Sequence, residues 1–253
     1  MLTVGMFSLT GFENEIAHVG SDIRAVLRTV RGLLVHESDL ALYGYEPPGE
    51  DYDRSTLPLV ERLAAIKAAD PAPLTSPRPV EKRAVGTCRD YALMTCGLLR
   101  HAGVAARVRC GFAAYLVPGF MHDHWICEYR VPDETRWRRA DAQLDDVQCR
   151  ALKIGFDTAD MPADAFSTAD EAWAAVRAGE AHADDFGYGG DTGEWFLWVN
   201  LARDRLALAN RIMSPWDGWR DARGLKTELN DAERAKCDAL AQEPALPGDP
   251  FWR

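Results

Sequence analysis

The sequence has no run of about eighteen apolar residues, so it contains no candidate for a membrane-spanning helix. Basic residues are scarce relative to acidic ones, since 29 lysines and arginines stand against 39 aspartates and glutamates. A chain of net charge −10 is not expected to bind nucleic acid or an anionic membrane surface. The first fifteen residues also lack the basic segment of a secretory signal, so export is not expected.

The six cysteines form no C-x-x-C pair and no zinc-binding pattern. A chain of 253 residues can bury a core without disulfides, and we therefore expect reduced thiols and a cytoplasmic protein. An even number of cysteines also permits disulfides, which remain the less favoured alternative. The string FGYGGDTG, residues 186–193, lacks the features of a P-loop or a dinucleotide-binding turn. It is interpreted as a plain loop, with a lid as the alternative, and no cofactor is expected.

The composition is 47 % apolar and 27 % charged, which is typical of a globular protein with a sizeable core. No internal repeat or low-complexity segment divides the chain. We expect a single domain over residues 1–253 with three parts. These parts are a helical N-terminal extension (1–79), a core (80–148) and a mainly helical C-terminal part (149–253).

Apolar residues recur at three- and four-residue steps in several segments, which predicts helices there. The predicted helices cover residues 13–36, 57–69, 88–102, 167–178 and 194–213. Gly103 is expected to end the third helix, Ser167 to cap the fourth, and Ser214-Pro215 to stop the fifth.

Three strand-like segments follow the third helix, at residues 104–117, 124–131 and 136–144. A tight turn at Pro132-Asp133-Glu134 predicts that the last two strands pair antiparallel. The expected fold class is therefore α+β, with a helix packed on a small antiparallel sheet and helical extensions before and after it.

Cys88 is the most informative residue, because a Gly-Thr turn places it at the first turn of a predicted helix. Backbone N–H groups have no intrahelical partner there, and the helix dipole favours an anion. A thiol in that position is biased toward the thiolate, the form that attacks a carbonyl carbon. The competing interpretation is a buried structural cysteine.

A histidine and an aspartate follow Cys88 in an order that a catalytic triad could use. A two-residue hairpin at Pro132-Asp133 would place His124 opposite Asp141, with Cβ atoms about 4.5–5.5 Å apart. The carboxylate could then orient the imidazole while the other ring nitrogen faces the thiol. His122 and His124 also form a His-x-His pair, but no third ligand stands at a natural spacing, so no metal is expected.

The strings GTCRDYA, LLRHAGVAARVRCGF, DHWICEY and WRRADAQLD together resemble the core of the transglutaminase-like superfamily of papain-fold enzymes. The resemblance covers roughly residues 83–145 and looks like that of bacterial intracellular members. It implies that Cys88 is the nucleophile, His124 the base and Asp141 the orienting acid. One departure is that Trp125 follows His124 directly, whereas the family often has His-x-Trp. The interval from His124 to Glu128 still matches, which favours His124 over His122.

This resemblance implies a cysteine-dependent acyl transfer through a thioester on Cys88. The acyl donor would be a peptide or a small molecule, and the acceptor an amine or water, with no metal and no cofactor. An amine acceptor would make the protein a transglutaminase or amide synthase, and water a peptidase or amidase. The Cys88 backbone N–H is the candidate oxyanion donor. The alternatives are a non-catalytic binding module and, less favoured, a CoA-dependent N-acyltransferase.

Overall fold

A computed structural model describes residues 5–46, 58–212 and 228–242 of the chain. Helices and strands are mixed along these residues without a regular β-α-β alternation, which is typical of an α+β fold. In chain order the elements are α1 Glu13–Ile16, α2 Ile23–Leu33, β1 Leu34–His36, α3 Leu59–Ala69, β2 Ala84–Gly86, α4 Cys88–His101, β3 Ala106–Val117, β4 Phe120–Tyr129, β5 Arg138–Ala140, α5 Asp146–Leu152, β6 Phe166–Thr168, α6 Ala169–Ala178, β7 Phe186–Tyr188, β8 Asp191–Thr192, α7 Glu194–Leu208 and α8 Asp231–Gln242.

The described residues group into two compact units. The N-terminal unit comprises the described residues up to Val108 together with Ile126–Met161. The C-terminal unit comprises Arg109–Trp125 and the described residues from Pro162 onward. Strands β3 and β4 each contribute residues to both units.

In the N-terminal unit, the single helix predicted over residues 13–36 is instead divided into two helices, α1 and α2, and the strand β1. The short α1 ends at Ile16, and α2 starts after Asp22, whose carboxylate accepts hydrogen bonds from the N–H groups of Arg24 and Ala25. This N-cap restarts the helix after the turn at Gly20, so the apolar periodicity on both sides had concealed a break. Residues from Leu34 then form β1, which pairs in parallel with β2.

Strand β2 leads directly into α4, which begins at Cys88 as predicted. Gly103 follows the helix with φ of 79°, the left-handed conformation that ends many helices. Helix α3 covers Leu59–Ala69 as predicted, and residue 57 lies outside the described part of the chain. Gly97 lets α3 and α4 approach closely, since a Cβ there would stand 2.2 Å from a methyl carbon of Leu59.

The C-terminal unit contains a mixed sheet with the strand order β6-β3-β4-β7-β8. Strands β3 and β6 pair antiparallel, but β7 runs parallel to β4, with Met121 opposite Phe186. The parallel pairing involves a strand that was not predicted, since residues 186–188 were expected to lie in a loop, while β4 and β5 pair antiparallel as expected. The string at residues 186–193, expected to be a plain loop, is instead the β7–β8 hairpin, with Gly189 at φ of 60° in its turn.

The helices that cover this sheet largely follow the prediction. Helix α6 is capped by Thr168 rather than Ser167, because the Thr168 hydroxyl accepts from the N–H of Glu171. Helix α7 starts at Glu194 as predicted and ends at Leu208, followed by Asn210 at φ of 58°. The predicted stop at Ser214-Pro215 lies outside the described residues.

A buried ion pair connects α7 to β3 inside the C-terminal unit. Arg109 donates from Nε and Nη2 to the two carboxylate oxygens of Asp204, at 2.9 and 2.8 Å. The same carboxylate accepts from the N–H of Cys110 at 2.9 Å, so one side chain serves both the guanidinium and the strand backbone. The apolar core around it includes Phe112, Trp173 and Phe196. None of the helices in the described ranges has the length and apolarity needed to cross a membrane.

Candidate active site

Cys88 is the first residue of α4, directly after the N-cap Thr87, and its side chain is half-buried. The other described cysteines are buried, except for Cys149, which is also half-buried. This placement agrees with the sequence prediction of a thiol in the first turn of a helix, where the dipole favours a thiolate. It also contradicts the alternative of a fully buried structural cysteine.

The turn that carries Cys88 is held by Asp90. One carboxylate oxygen of Asp90 accepts from the backbone N–H of Thr87 at 2.7 Å and from the Thr87 hydroxyl at 3.1 Å. The other oxygen accepts from Nη2 of Arg62 at 3.1 Å, and Arg62 also donates from Nη1 to the carbonyl of Val85. Asp90 and Arg62 are both buried, so this network fixes the chain on both sides of the candidate nucleophile.

Gly86 is part of the same arrangement. A Cβ at this position would stand 3.0 Å from the Asp90 carboxylate oxygen and 3.2 Å from its Cβ. A larger residue would therefore press on the carboxylate that bonds to Thr87. Glycine is therefore required before Thr87 and Cys88 because of the close contact with Asp90, as well as for the turn.

His124 lies on β4 in the C-terminal unit and is 1 % exposed. Its ring stands edge-on to Tyr115 of β3, with centroids 5.9 Å apart, and to Phe166 of β6, with centroids 6.5 Å apart. Aromatic neighbours on two strands restrict the rotation of the imidazole. His122 is more exposed, and its Nδ1 lies 3.0 Å from the Asp123 carbonyl oxygen.

The residue before His124 is tethered to α7. Nδ2 of Asn200 donates to Oδ1 of Asp123 at 2.7 Å, and Nη1 of Arg203 donates to Oδ1 of Asn200 at 3.1 Å. Since side chains alternate along a strand, Asp123 and His124 lie on opposite faces of β4. The polar network on one face therefore fixes the backbone that presents the imidazole on the other.

Asp141 follows β5 in the N-terminal unit and is 1 % exposed. Its Oδ1 accepts from the N–H of Gln143 at 2.8 Å, and its own N–H donates to the carbonyl of Thr158 at 2.9 Å. Nη2 of Arg31 donates to the Asp141 carbonyl at 3.2 Å. The backbone on both sides of this carboxylate is thus held by groups from α2 and from the segment after α5.

The predicted register between the second and third strands is wrong by two residues. Strand β4 pairs with β5 so that Cys127 faces Ala140, whereas the prediction of His124 opposite Asp141 requires a different pairing. The predicted turn exists, since the N–H of Glu134 donates to the carbonyl of Val131. Compared with the predicted hairpin, the β5 side has two more residues between the turn and the first paired residue, Arg138.

Trp137 lies in the longer connection between β4 and β5. The centroid of its ring is 4.2 Å from Cζ of Arg107 and 4.7 Å from Cζ of Arg130. An even shift leaves the β5 side chains on their predicted faces. Glu128, which is buried, accordingly pairs with Arg139 across the ladder and with Arg107.

The three predicted catalytic residues are thus found in ordered surroundings, with Cys88 and Asp141 in the N-terminal unit and His124 in the C-terminal unit. Their assembly into a triad stays a prediction. Within the described residues, no group of three or more His, Cys, Asp or Glu side chains could hold a metal ion.

Sequence reasoning missed two supports of the site. The Thr87-x-x-Asp90 spacing is a capping-box signal, so the role of Asp90 could have been read from the sequence. Asp90 is buried and also accepts from Arg62 of α3, a partner that the local spacing does not indicate. The contact between Asp123 and Asn200 has no such signal, since the two residues are 77 positions apart.

Comparison with known proteins gives one match. Residues 55–142 match the family model described as the transglutaminase-like superfamily, and this range includes Cys88, His124 and Asp141. The matched range is about a third of the chain and confirms the resemblance seen in the sequence motifs. No curated protein and no solved structure matches the chain.

Proposed function

Because residues 55–142 carry a transglutaminase-like core, we propose that the protein is a cysteine-dependent acyl-transfer enzyme with Cys88 as its nucleophile. The observation that carries the proposal is the position of Cys88. It is a half-buried thiol at the first residue of a fourteen-residue helix, held by a buried network around Asp90. A structural cysteine would have no need of a rigid turn at a helix N-terminus.

His124 is proposed as the base that takes the proton of the Cys88 thiol. Its burial between Tyr115 and Phe166 supports this role over His122, because a general base must be held in one orientation. Asp141 is proposed to orient the imidazole, since it is a buried carboxylate whose backbone is fixed by neighbouring hydrogen bonds.

The proposed reaction has two steps. The Cys88 sulfur attacks the carbonyl carbon of an amide or ester, a C–S bond forms, and the C–N or C–O bond breaks. The leaving amine or alcohol takes its proton from His124. An amine or water then attacks the thioester carbonyl carbon while His124 accepts a proton from that acceptor. The new C–N or C–O bond forms, the C–S bond breaks, and the departing Cys88 sulfur takes that proton from His124, which restores the thiol. The N–H of Cys88 is proposed as one donor to the oxyanion.

The acyl donor is proposed to be a peptide or a small molecule, with an amine or water as acceptor. Amine acceptors would give a transglutaminase or amide synthase activity, and water a peptidase or amidase activity. The choice depends on how well the site excludes water. A cytoplasmic location is part of this proposal, supported by six cysteines that are all free thiols.

The test is intact-mass analysis of the protein after exposure to activated acyl esters at neutral pH. Cys149 is the other half-buried thiol, and burial raises its pKa, which makes it a poor nucleophile at that pH. We expect one acyl adduct in the unmodified chain and in Cys149→Ala, and none in Cys88→Ala. An adduct that persists in Cys88→Ala, or that disappears in Cys149→Ala, contradicts the proposal.

Asp141→Asn is the second variant in this test. Asparagine keeps the oxygen that accepts from the N–H of Gln143, so the loop should remain intact. We expect acylation to slow by about 10³-fold or more, because a neutral amide no longer holds the imidazole in the required tautomer. Acylation at the original rate would remove Asp141 from the proposed triad. If no variant reacts and Cys88 alkylates no faster than a free thiol, the chain is a non-catalytic binding module.

A further inference from the structure

A cavity of about 530 Å³ opens in the N-terminal unit on the face of α2 away from its apolar core. Its wall is formed by one side of α2, by the segment Thr75–Pro77 and by the start of α5. The volume is in the range of pockets that bind small molecules. The residues of the proposed triad are not part of its lining, so the cavity is separate from the site described above.

The lining carries positive charge that no carboxylate in the described residues neutralises. Arg28 and Arg31 lie one helical turn apart on α2, and both face the cavity. Arg31 is half-buried, and its hydrogen bonds within the described residues go to neutral oxygens, which are the carbonyls of Asp141 and Ala142 and the hydroxyl of Thr158. Arg28 makes no ion pair with a carboxylate in the described part of the chain.

The remaining charged groups of the lining partly cancel. Arg83 lies 3.8 Å from Asp145, and that carboxylate also accepts from the hydroxyl of Tyr43 at 2.8 Å. Asp146 is exposed and is the one opposing carboxylate in the lining that Arg83 does not balance. The lining therefore has a net positive charge.

The segment Thr75–Pro77 forms another part of the cavity wall and packs closely against the backbone of α2. A Cβ on Gly32 would stand 3.3 Å from Cα of Pro77, so glycine allows the segment Thr75–Pro77 to lie against α2. The same contact brings Ser76 to the cavity, and Thr29 reaches it from α2. Hydroxyl groups and guanidinium groups thus share one pocket, the combination that recognises an oxyanion.

We propose that this cavity binds a small organic anion with a carboxylate or phosphate group, held by Arg28 and Arg31. The bidentate fork of the Arg28 guanidinium matches the geometry of both oxyanions. Nε and Nη2 of Arg31 already donate to protein oxygens, so Arg31 would contact the anion through Nη1. Arg31 also donates to the Asp141 carbonyl, so a bound anion would contact the side chain that fixes this backbone. The binding site itself does not depend on the proposed acyl-transfer activity.

The test is isothermal titration calorimetry of the full chain with inorganic phosphate and with succinate in a buffer of low chloride. The two probes distinguish a phosphate ligand from a carboxylate ligand, and uncharged succinamide is the control ligand. Arg28→Gln removes an exposed cation without disturbing the core. Arg24→Gln removes another exposed arginine of the same helix, one that pairs with Asp157 outside the cavity.

We expect saturable binding of at least one anion and none of succinamide. Arg28→Gln should weaken binding about fivefold or more, because a charged hydrogen bond is lost. Asp146→Asn should strengthen it, since an opposing charge is removed, and Arg24→Gln should leave it unchanged. Equal affinity in Arg28→Gln and the unmodified chain overturns the proposal. So does the absence of binding at probe concentrations on the order of 10 mM.

Discussion

Arg62 of α3 and Asp90 of α4 form a buried ion pair, with Nη2 and Oδ1 at 3.1 Å and side chains 6 % and 4 % exposed. Through its second oxygen, Asp90 holds the N–H and the hydroxyl of Thr87. The position of Cys88 therefore depends on a side chain from a different helix, which the superfamily motif around the cysteine does not contain.

Asp90→Asn is expected to destabilise the protein strongly. The amide keeps the shape of the side chain but leaves the Arg62 guanidinium buried without its counter-charge, which costs about 3–5 kcal/mol. The free energy of unfolding in urea measures this loss. The control is Arg24→Gln, which breaks the exposed pair with Asp157 and should cost less than about 1 kcal/mol. Equal losses in both variants would mean that the buried pair is energetically unimportant.

The choice between His124 and His122 can be decided by a pair of matched variants. His124→Gln should slow acylation of Cys88 by about 10²–10⁴-fold, the usual contribution of a general base. His122→Gln should leave the rate within about a factor of two, because that side chain is partly exposed on the strand and has no assigned role. The rates are measured by quenched mass spectrometry across pH 5–9. A larger effect of His122→Gln would reverse the assignment.

Gly111 is expected to tolerate no side chain. A Cβ there would stand 2.2 Å from the Ser167 carbonyl oxygen and 2.7 Å from the ring of Phe166, the neighbour of His124. Gly111→Ala should therefore destabilise the C-terminal unit by about 1–3 kcal/mol or more, because β3 and β6 must separate. Thermal unfolding measures the change. Gly155→Ala, with nothing within 4 Å of its Cβ, should be within about 1 kcal/mol of the original chain.

A pH-dependent contribution to stability is expected from Asp160. Two hydrogen bonds from Arg136, at 2.9 and 2.5 Å, hold the pKa of this carboxyl below its ordinary value, against the opposing effect of partial burial. A depressed pKa in the folded state stabilises the protein above the unfolded-state value of about 4, and this contribution is lost as the pH falls through the folded-state pKa.

Asp160→Asn should therefore lower the free energy of unfolding at pH 7 by less than about 1 kcal/mol, as expected for an exposed pair. Once the pH is below the folded-state pKa, the variant and the original chain should converge, since the carboxyl is then protonated in both states. Urea unfolding at several pH values checks this. A difference that persists unchanged at low pH would show that the effect does not come from the charge.

Local signals made parts of this fold predictable. The Gly-Thr-Cys turn and the apolar spacing after it identified the start of α4 to the residue, because capping and helix periodicity are properties of adjacent positions. Gly103 marked the end of the same helix for the same reason. The α+β class followed from the spacing of apolar residues, and the resemblance to the transglutaminase-like superfamily followed from motifs within one segment of the chain.

Contacts between distant residues explain the rest. The connection between β4 and β5 carries Trp137 against Arg107 and Arg130, and neither these contacts nor the two-residue shift in register can be read from the sequence. The parallel pairing of β7 with β4 joins residues more than sixty positions apart, and alternation of polar and apolar residues carries no information on such partners. The hydrogen bond from Asn200 to Asp123 could not be predicted for the same reason, because the two residues are 77 positions apart.

The hydrogen bonds at Asp141 bear on what an excised fragment could do. The matched range ends one residue after this aspartate, yet its carbonyl is bonded to Arg31 and its N–H to the carbonyl of Thr158, and both partners lie outside that range. A peptide limited to residues 55–142 would lack these anchors. In this protein the shared segment of the superfamily is thus not autonomous, and sequence changes in α2 could alter the chemistry without touching any motif.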